Sequence, residues 1–282
     1  MGTRSACAAH TQLLAVDIRF AGFCSAVLTA ILLKVTPALG AGLALVLAID
    51  VSASVTADSY VLQHEGIARA FENPHLVDAI SALPGGIEVL ILEWSDPDQI
   101  SVTVGWRRVD DPVSAAAFAE AVRATKRSSK GRTAIGPALL AAASAFNRLP
   151  EPAVRRVIDI SGDGMANFGL APRVARDRVV ASGISINGLA ILTEEPWLEG
   201  YYRSNVIGGP GAFVVAAEDF GSFADAMLRK LAQEVAGAAP SLPRTPALAG
   251  GRPGAPPPAG EGRVGVRSDA VSADRGEAVE PD

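Results

Sequence analysis

The chain reads as an α/β protein: a doubly wound, mostly parallel six-stranded sheet with helices on both faces and one antiparallel edge strand. Three observations predict it. The runs 'LALVLAID' (43–50), 'GIEVLILEW' (86–94), 'VRRVIDIS' (154–161) and 'ISINGLAIL' (184–192) are largely apolar, the pattern of strands covered on both faces. Segments with apolar residues at helical spacing fill the gaps between them, as strand–helix–strand crossovers require. Only 'SDPDQ' (95–99) separates the second and third strands. That is too short for a helical crossover, so these two strands form an antiparallel hairpin.

In chain order, residues 1–41 read as an export leader. Arg4 and Arg19 precede the apolar stretch 'FAGFCSAVLTAILL' (20–33), and small residues follow in 'PALGAG' (37–42). Fourteen apolar residues ending at Lys34 fall short of the roughly 20 needed to span a bilayer. Cleavage near Gly40 or Ala41 is therefore expected, giving a secreted or periplasmic protein with no stable membrane span; an uncleaved membrane anchor is the alternative. Cys7 and Cys24 both lie inside the leader, and Phe23 before Cys24 argues against a lipid-anchored cysteine. The mature chain then has neither a disulfide framework nor a thiolate metal site.

The folded region is expected over residues 42–236. Its helices are predicted at 57–72, 112–126, 134–148, 172–182 and 219–236, the last carrying Phe220, Phe223, Met227 and Leu231 at helical spacing. The shorter runs 'ISVTVGW' (100–106) and 'AFVVAA' (212–217) belong nearer the sheet edges, and a long loop follows the fifth strand. Residues 237–282 are dense in Pro, Gly and Ala and poor in aromatic and branched apolar residues. Such a tail cannot bury enough surface to offset its ordering entropy, so disorder is expected there.

Charge excludes some function classes. The net charge of the 282 residues is −5, and loss of the leader's Arg4, Asp17, Arg19 and Lys34 leaves about −7. Nothing in that balance favours nucleic acid or an anionic membrane as partner.

The first strand ends in 'IDVSASV', with Asp50, Ser52 and Ser54 at alternate positions. An extended chain sends these three to one side, where a carboxylate and two hydroxyls make a hard oxygen site suited to a magnesium-like cation. Taken alone, the same residues read as a helix cap. Two further loops change the weighing. 'GRTAIGPALLAAASAF' (131–146) places Thr133 at a helix start, and 'VIDISGDGMANFG' (157–169) ends a central strand with Asp163 between two glycines. Both belong at the same sheet edge as Asp50, where ligands of parallel α/β sheets gather.

In these residues the chain resembles the von Willebrand factor A domain with its metal-ion-dependent adhesion site. Its D-x-S-x-S corresponds to Asp50, Ser52 and Ser54, its distal threonine to Thr133 and its loop aspartate to Asp163. The stretches 'EWS', 'GRTAIG', 'DISGDG', 'INGLAIL' and 'YYRSNVIGGPGAF' are similar to an uncharacterised bacterial family of secreted A-type domain proteins. The resemblance implies a Rossmann-like fold and a divalent cation, Mg2+ first, with Mn2+ or Ca2+ as other candidates. It further implies that Ser52, Ser54 and Thr133 touch the metal directly or through water, that Asp50 and Asp163 anchor it, and that one position stays open. A protein or other acidic ligand would supply a carboxylate there. With few direct carboxylates the ion stays electrophilic, which suits binding through metal rather than storage.

Around this edge, Glu93, Trp94 and Asp96 close the second strand and are candidates for a partner-binding rim. Trp197, Tyr201 and Tyr202 in the loop after the fifth strand are candidates for partner anchors, with Asn167 orienting the loop of Asp163. Three functional classes compete: an adhesion or interaction module, an accessory subunit of a metal-handling or chelatase-like complex, and a metal-assisted hydrolase using Glu93 as base. No catalytic constellation is found. His64 and His75, on or near the first helix, are expected in packing or surface roles, and 'SSKGRT' (128–133) lacks the first glycine of a phosphate loop because Lys126 stands there. Asp159 is expected to be a satisfied structural carboxylate.

Overall fold

A computed structural model of the chain describes residues 40–238. The leader and tail expectations lie outside the described residues. The elements are β1 (Ala41–Asp50), α1 (Ala57–Glu72), α2 (Pro74–Ser81), β2 (Ile87–Trp94), β3 (Ile100–Val109), α3 (Pro112–Arg123), α4 (Ile135–Ala145), β4 (Ala153–Gly162), α5 (Pro172–Ala181), β5 (Ser185–Ile191), α6 (Leu198–Asn205), β6 (Val214–Ala217) and α7 (Phe223–Ala238). One six-stranded sheet runs in the order β3-β2-β1-β4-β5-β6. All pairs are parallel except β2 with β3.

Side-chain alternation divides the core. In β1, Leu43, Leu45, Leu47 and Ile49 face α1, α2, α3 and α7, while Ala44, Val46 and Ala48 face α4, α5 and α6. The second set is small, as are Ala138 and Ala142 of α4. Small residues on both sides let α4 lie close to the sheet, and at Gly136 an added Cβ would stand 2.0 Å from the Leu170 carbonyl oxygen.

Two elements depart from the sequence expectation. Residues 74–81 form α2, started by Pro74 in its first turn and by the Asn73 side chain accepting from the His75 and Leu76 amides. The expected loop after β5 contains α6, an eight-residue helix that buries Leu198 and Tyr202. Both are two-turn helices, too short to display a repeating apolar face. The strand β3 runs to Val109, three residues past the expected end, because its pairing with β2 continues as far as Ile87↔Val109.

Hydrogen bonds fix which end of the sheet is which. The Ala41 amide donates to the Pro152 carbonyl (3.0 Å), and Arg155 at the start of β4 donates to the Glu234 carbonyl near the end of α7 (3.2 Å). Thus β1 begins and α7 ends at the sheet end opposite Asp50. Among the described residues no helix is long and apolar enough to cross a membrane.

Candidate metal centre

The strand order reverses direction between β1 and β4, and the crevice beyond the carboxyl ends of those two strands is where such sheets take ligands. Asp50 is the last residue of β1, and Asp163 follows the last residue of β4. Asp50 is fully buried, Ser52 and Thr133 are buried, and Asp163 is 8% exposed.

The two readings of D-x-S-x-S separate at this point. The cap of α1 is Thr56, whose hydroxyl accepts from the Ser59 amide. Ser52 and Ser54 are thereby left out of capping. The Ser54 hydroxyl donates to Asp163 Oδ1 at 2.8 Å and lies 3.2 Å from the Ser52 hydroxyl, while the Ser52 amide donates to Asp50 Oδ1 at 2.7 Å. Thr133 is brought alongside by backbone bonds. The Ala53 amide donates to the Gly131 carbonyl (2.7 Å), and Asn167 pairs twice with Thr133, accepting its amide at Oδ1 (2.9 Å) and donating its own amide to its carbonyl (3.0 Å). Asn167 therefore joins the Thr133 loop to the Asp163 loop.

Electrostatics at this edge are unbalanced in a way that a cation would correct. Burial, and then the charge of Asp163, push the Asp50 carboxyl up to about 7; burial likewise raises Asp163. Asp50 Oδ2 is buried without a hydrogen-bond partner. A cation beside these two carboxylates would offset the cost of holding them charged in a dry site. The donors are all hard oxygens, two carboxylates and three hydroxyls, which fits Mg2+, Mn2+ or Ca2+ and not a soft metal. No cluster of three or more His, Cys, Asp or Glu side chains occurs among the described residues.

Arg127, which no sequence motif marks, supports the site. Its guanidinium donates to the carbonyls of Val51 (2.7 Å), Ser52 (2.7 Å), Val55 (2.9 Å) and Ser129 (2.9 Å). One planar group thus pins the first donor loop to the loop that leads to Thr133.

The candidate rim divides sharply. Glu93 and Trp94 are fully buried and offer no surface to a partner. Glu93 lies on the α1 side of the sheet, where Oε1 accepts from the Tyr60 hydroxyl (2.8 Å) and sits 3.1 Å from His64 Nε2, and Oε2 accepts from the Ser128 amide (2.7 Å). With both oxygens engaged it is a brace for the loop of residues 126–133, and its proposed role as a general base does not fit. Trp94 faces the opposite way, into the α4 side of the core. Asp96 is paired with Arg132 (2.7 Å), whose guanidinium lies 3.2 Å from the centre of the Phe168 ring. Tyr202 is fully buried, in contrast to its expected exposure on a loop, because α6 turns it inward. Tyr201 is half-buried and its hydroxyl accepts the Ala166 amide (3.2 Å), while Trp197 is 52% exposed and packs edge-on against Tyr201. Met165 and Phe168, absent from the sequence-based rim, are also exposed beside Asp163.

The strand order, the single antiparallel edge strand and the helices on both faces make a von Willebrand factor A-like fold. The chain belongs to the family described as Protein of unknown function (DUF1194), whose model matches residues 41–239. No match is found among curated proteins. Similar solved structures include the vWF domain of the type V pili tip protein Mfa5 from Porphyromonas gingivalis (10% identity, TM-score 0.50, 73% of this chain and 99% of that one). Another is the pilus adhesin SpaC from Lactobacillus rhamnosus GG (13% identity, TM-score 0.50, 70% of this chain and 30% of that one). A third is proximal thread matrix protein 1 from the mussel byssus, with a zinc-occupied MIDAS motif (18% identity, TM-score 0.49, 70% and 46%). The chain thus spans less than half the length of the last two.

Proposed function

We propose that this chain is an exported, divalent-cation-dependent protein-binding module, with a cleaved leader at 1–41, the binding domain at 42–236 and a tail at 237–282. One observation carries the reading: hard oxygen donors on three separate loops meet at one sheet edge, and the buried Asp50 carboxylate among them has an oxygen with no partner. Asp50, Ser52, Ser54, Thr133 and Asp163 would hold the cation, which supplies Lewis acidity toward an outside carboxylate. The protein's own part is preorganisation. Ser54 fixes Asp163, Arg127 fixes the loop of Ser52, and Asn167 fixes the loops of Thr133 and Asp163 to each other. The remaining candidates for partner contact are the exposed Trp197, the half-buried Tyr201 and the margin of Asp96, with Met165 and Phe168 added beside them.

Two proteins that share the fold are a pilus adhesin and a pilus tip protein. We extend an interaction role to this chain as part of the same proposal. Thermal unfolding in chelator and then in excess Mg2+, Mn2+ or Ca2+, beside Asp163→Ala, tests it. A ligand at 100 times its dissociation constant stabilises the folded state by about 2.7 kcal/mol. The wild type is expected to show a cation-dependent rise that Asp163→Ala lacks; no rise with any of the three cations would refute the reading.

A further inference from the structure

The Tyr202 hydroxyl is buried and has no hydrogen-bond partner, and the same is true of Asp50 Oδ2. The two oxygens flank one point. A Cβ added at Gly162 would lie 2.7 Å from Asp50 Oδ2 and 2.7 Å from the Tyr202 oxygen. Gly188 on the neighbouring strand has the same relation to the ring, since a Cβ there would meet Tyr202 Cδ1 at 2.8 Å. Bare backbone on β4 and β5 therefore forms a slot along which the phenol lies, and the slot points its hydroxyl at the carboxylate of β1.

Packing alone does not explain this arrangement. A phenylalanine would fill the slot without the cost of burying an unpaired hydroxyl. A phenol hydroxyl carries one O–H to donate, and among the described residues nothing else accepts it. The carboxylate it faces is already held at Oδ1 by the Ser52 amide and lacks a donor only at Oδ2.

We infer that Tyr202 is a positioning residue for the cation site: its O–H reaches Asp50 Oδ2 through one buried water and fixes the orientation of that carboxylate. The inference rests on the cation-binding reading above. Oriented from both sides, Asp50 would present a fixed carboxylate to the cation. Gly162 is the complement of Tyr202, since only a residue without a side chain leaves the space between the two oxygens open.

Calorimetric titration of the full chain with magnesium chloride and manganese chloride tests it, comparing wild type, Tyr202→Phe and Gly162→Ala. Groups that orient a metal ligand typically alter metal affinity 10- to 100-fold, so Tyr202→Phe is expected to raise the cation dissociation constant about tenfold or more. Its melting midpoint in chelator is expected to stay close to that of the wild type, because the ring and its packing against Gly162 and Gly188 are kept. Gly162→Ala is expected to abolish the cation-induced rise in midpoint by forcing the two oxygens apart. Wild-type affinity in Tyr202→Phe would overturn the inference and leave the cation site standing; absence of cation binding by the wild type would overturn both.

Discussion

Arg127 Nη2 donates to the carbonyl of Ser52 at 2.7 Å, and from the same nitrogen to that of Val51 at 2.7 Å. A side chain 75 positions away in sequence thus sets the path of the first donor loop. Arg127→Ala removes a charged donor from four carbonyls at once. We expect a loss of about 2 to 3 kcal/mol in denaturant unfolding, together with weakened cation binding. Arg127→Lys should rescue little of either, because an ammonium cannot reproduce the planar fork.

Lys230 of α7 is fully buried, 2.7 Å from Asp159 Oδ2 and 3.3 Å from Glu234 Oε1. Lys230→Met would strand the buried Asp159 carboxylate, while Glu234 keeps Asn187 and Arg155; it should cost about 3 to 5 kcal/mol, whereas pairing it with Asp159→Leu should recover part of the loss. Burial pushes the Asp159 carboxyl up to about 6, against the pull of Lys230. Its folded-state pKa is raised, so its contribution is full below about pH 4 and is lost as pH rises through 6. The penalty for Lys230→Met should accordingly be smaller at pH 5 than at pH 8.

Arg123 bonds Glu65 and Glu72, joining α3 to α1. Hydrogen bonds from Arg123 and then Arg69 hold Glu65 at about 2, and Arg123 also lowers Glu72. A depressed carboxyl contributes stability above its unfolded pKa and loses it as pH falls through the folded one. In denaturant titrations between pH 5 and pH 2, Arg123→Ala should therefore show a flatter acid decline than the wild type.

Gly136→Ala would drive a methyl group to within 2.0 Å of the Leu170 carbonyl oxygen. The obstacle is backbone, so α4 must move off the loop that precedes α5. A loss of about 1 to 3 kcal/mol is expected, with a lower melting midpoint as the measurement. Since α4 begins two residues after Thr133, the same variant should also blunt the cation-dependent rise.

The sheet was legible because β1, β2, β4 and β5 are covered on both faces and so read as apolar runs, and because 'SDPDQ' leaves no room for a crossover. That Asp50, Ser52, Ser54, Thr133 and Asp163 fall at one sheet edge was legible because alternation and strand ends are local properties. The surroundings were not. Glu93 sits one residue from Trp94, yet pleating sends one toward His64 and the other into the opposite core; which face lay under which helix was a tertiary matter. Tyr201 and Tyr202 looked alike as neighbours in a loop, but helical geometry in α6 separates them, one toward Ala166 and one beneath Gly162. Arg127 carried no signal, because its partners are backbone carbonyls that any residue provides.

Ala41, at the start of β1, and Ala238, at the end of α7, both lie at the foot of the sheet. A capture tag or surface linker fused before Ala41 or after Ala238 leaves the domain from the side remote from Asp50 and Asp163. Immobilised by either end, the molecule would stand with its carboxylate edge toward solution, so a sensor coated through one terminus and a sensor coated through the other should report the same analyte with the same apparent affinity.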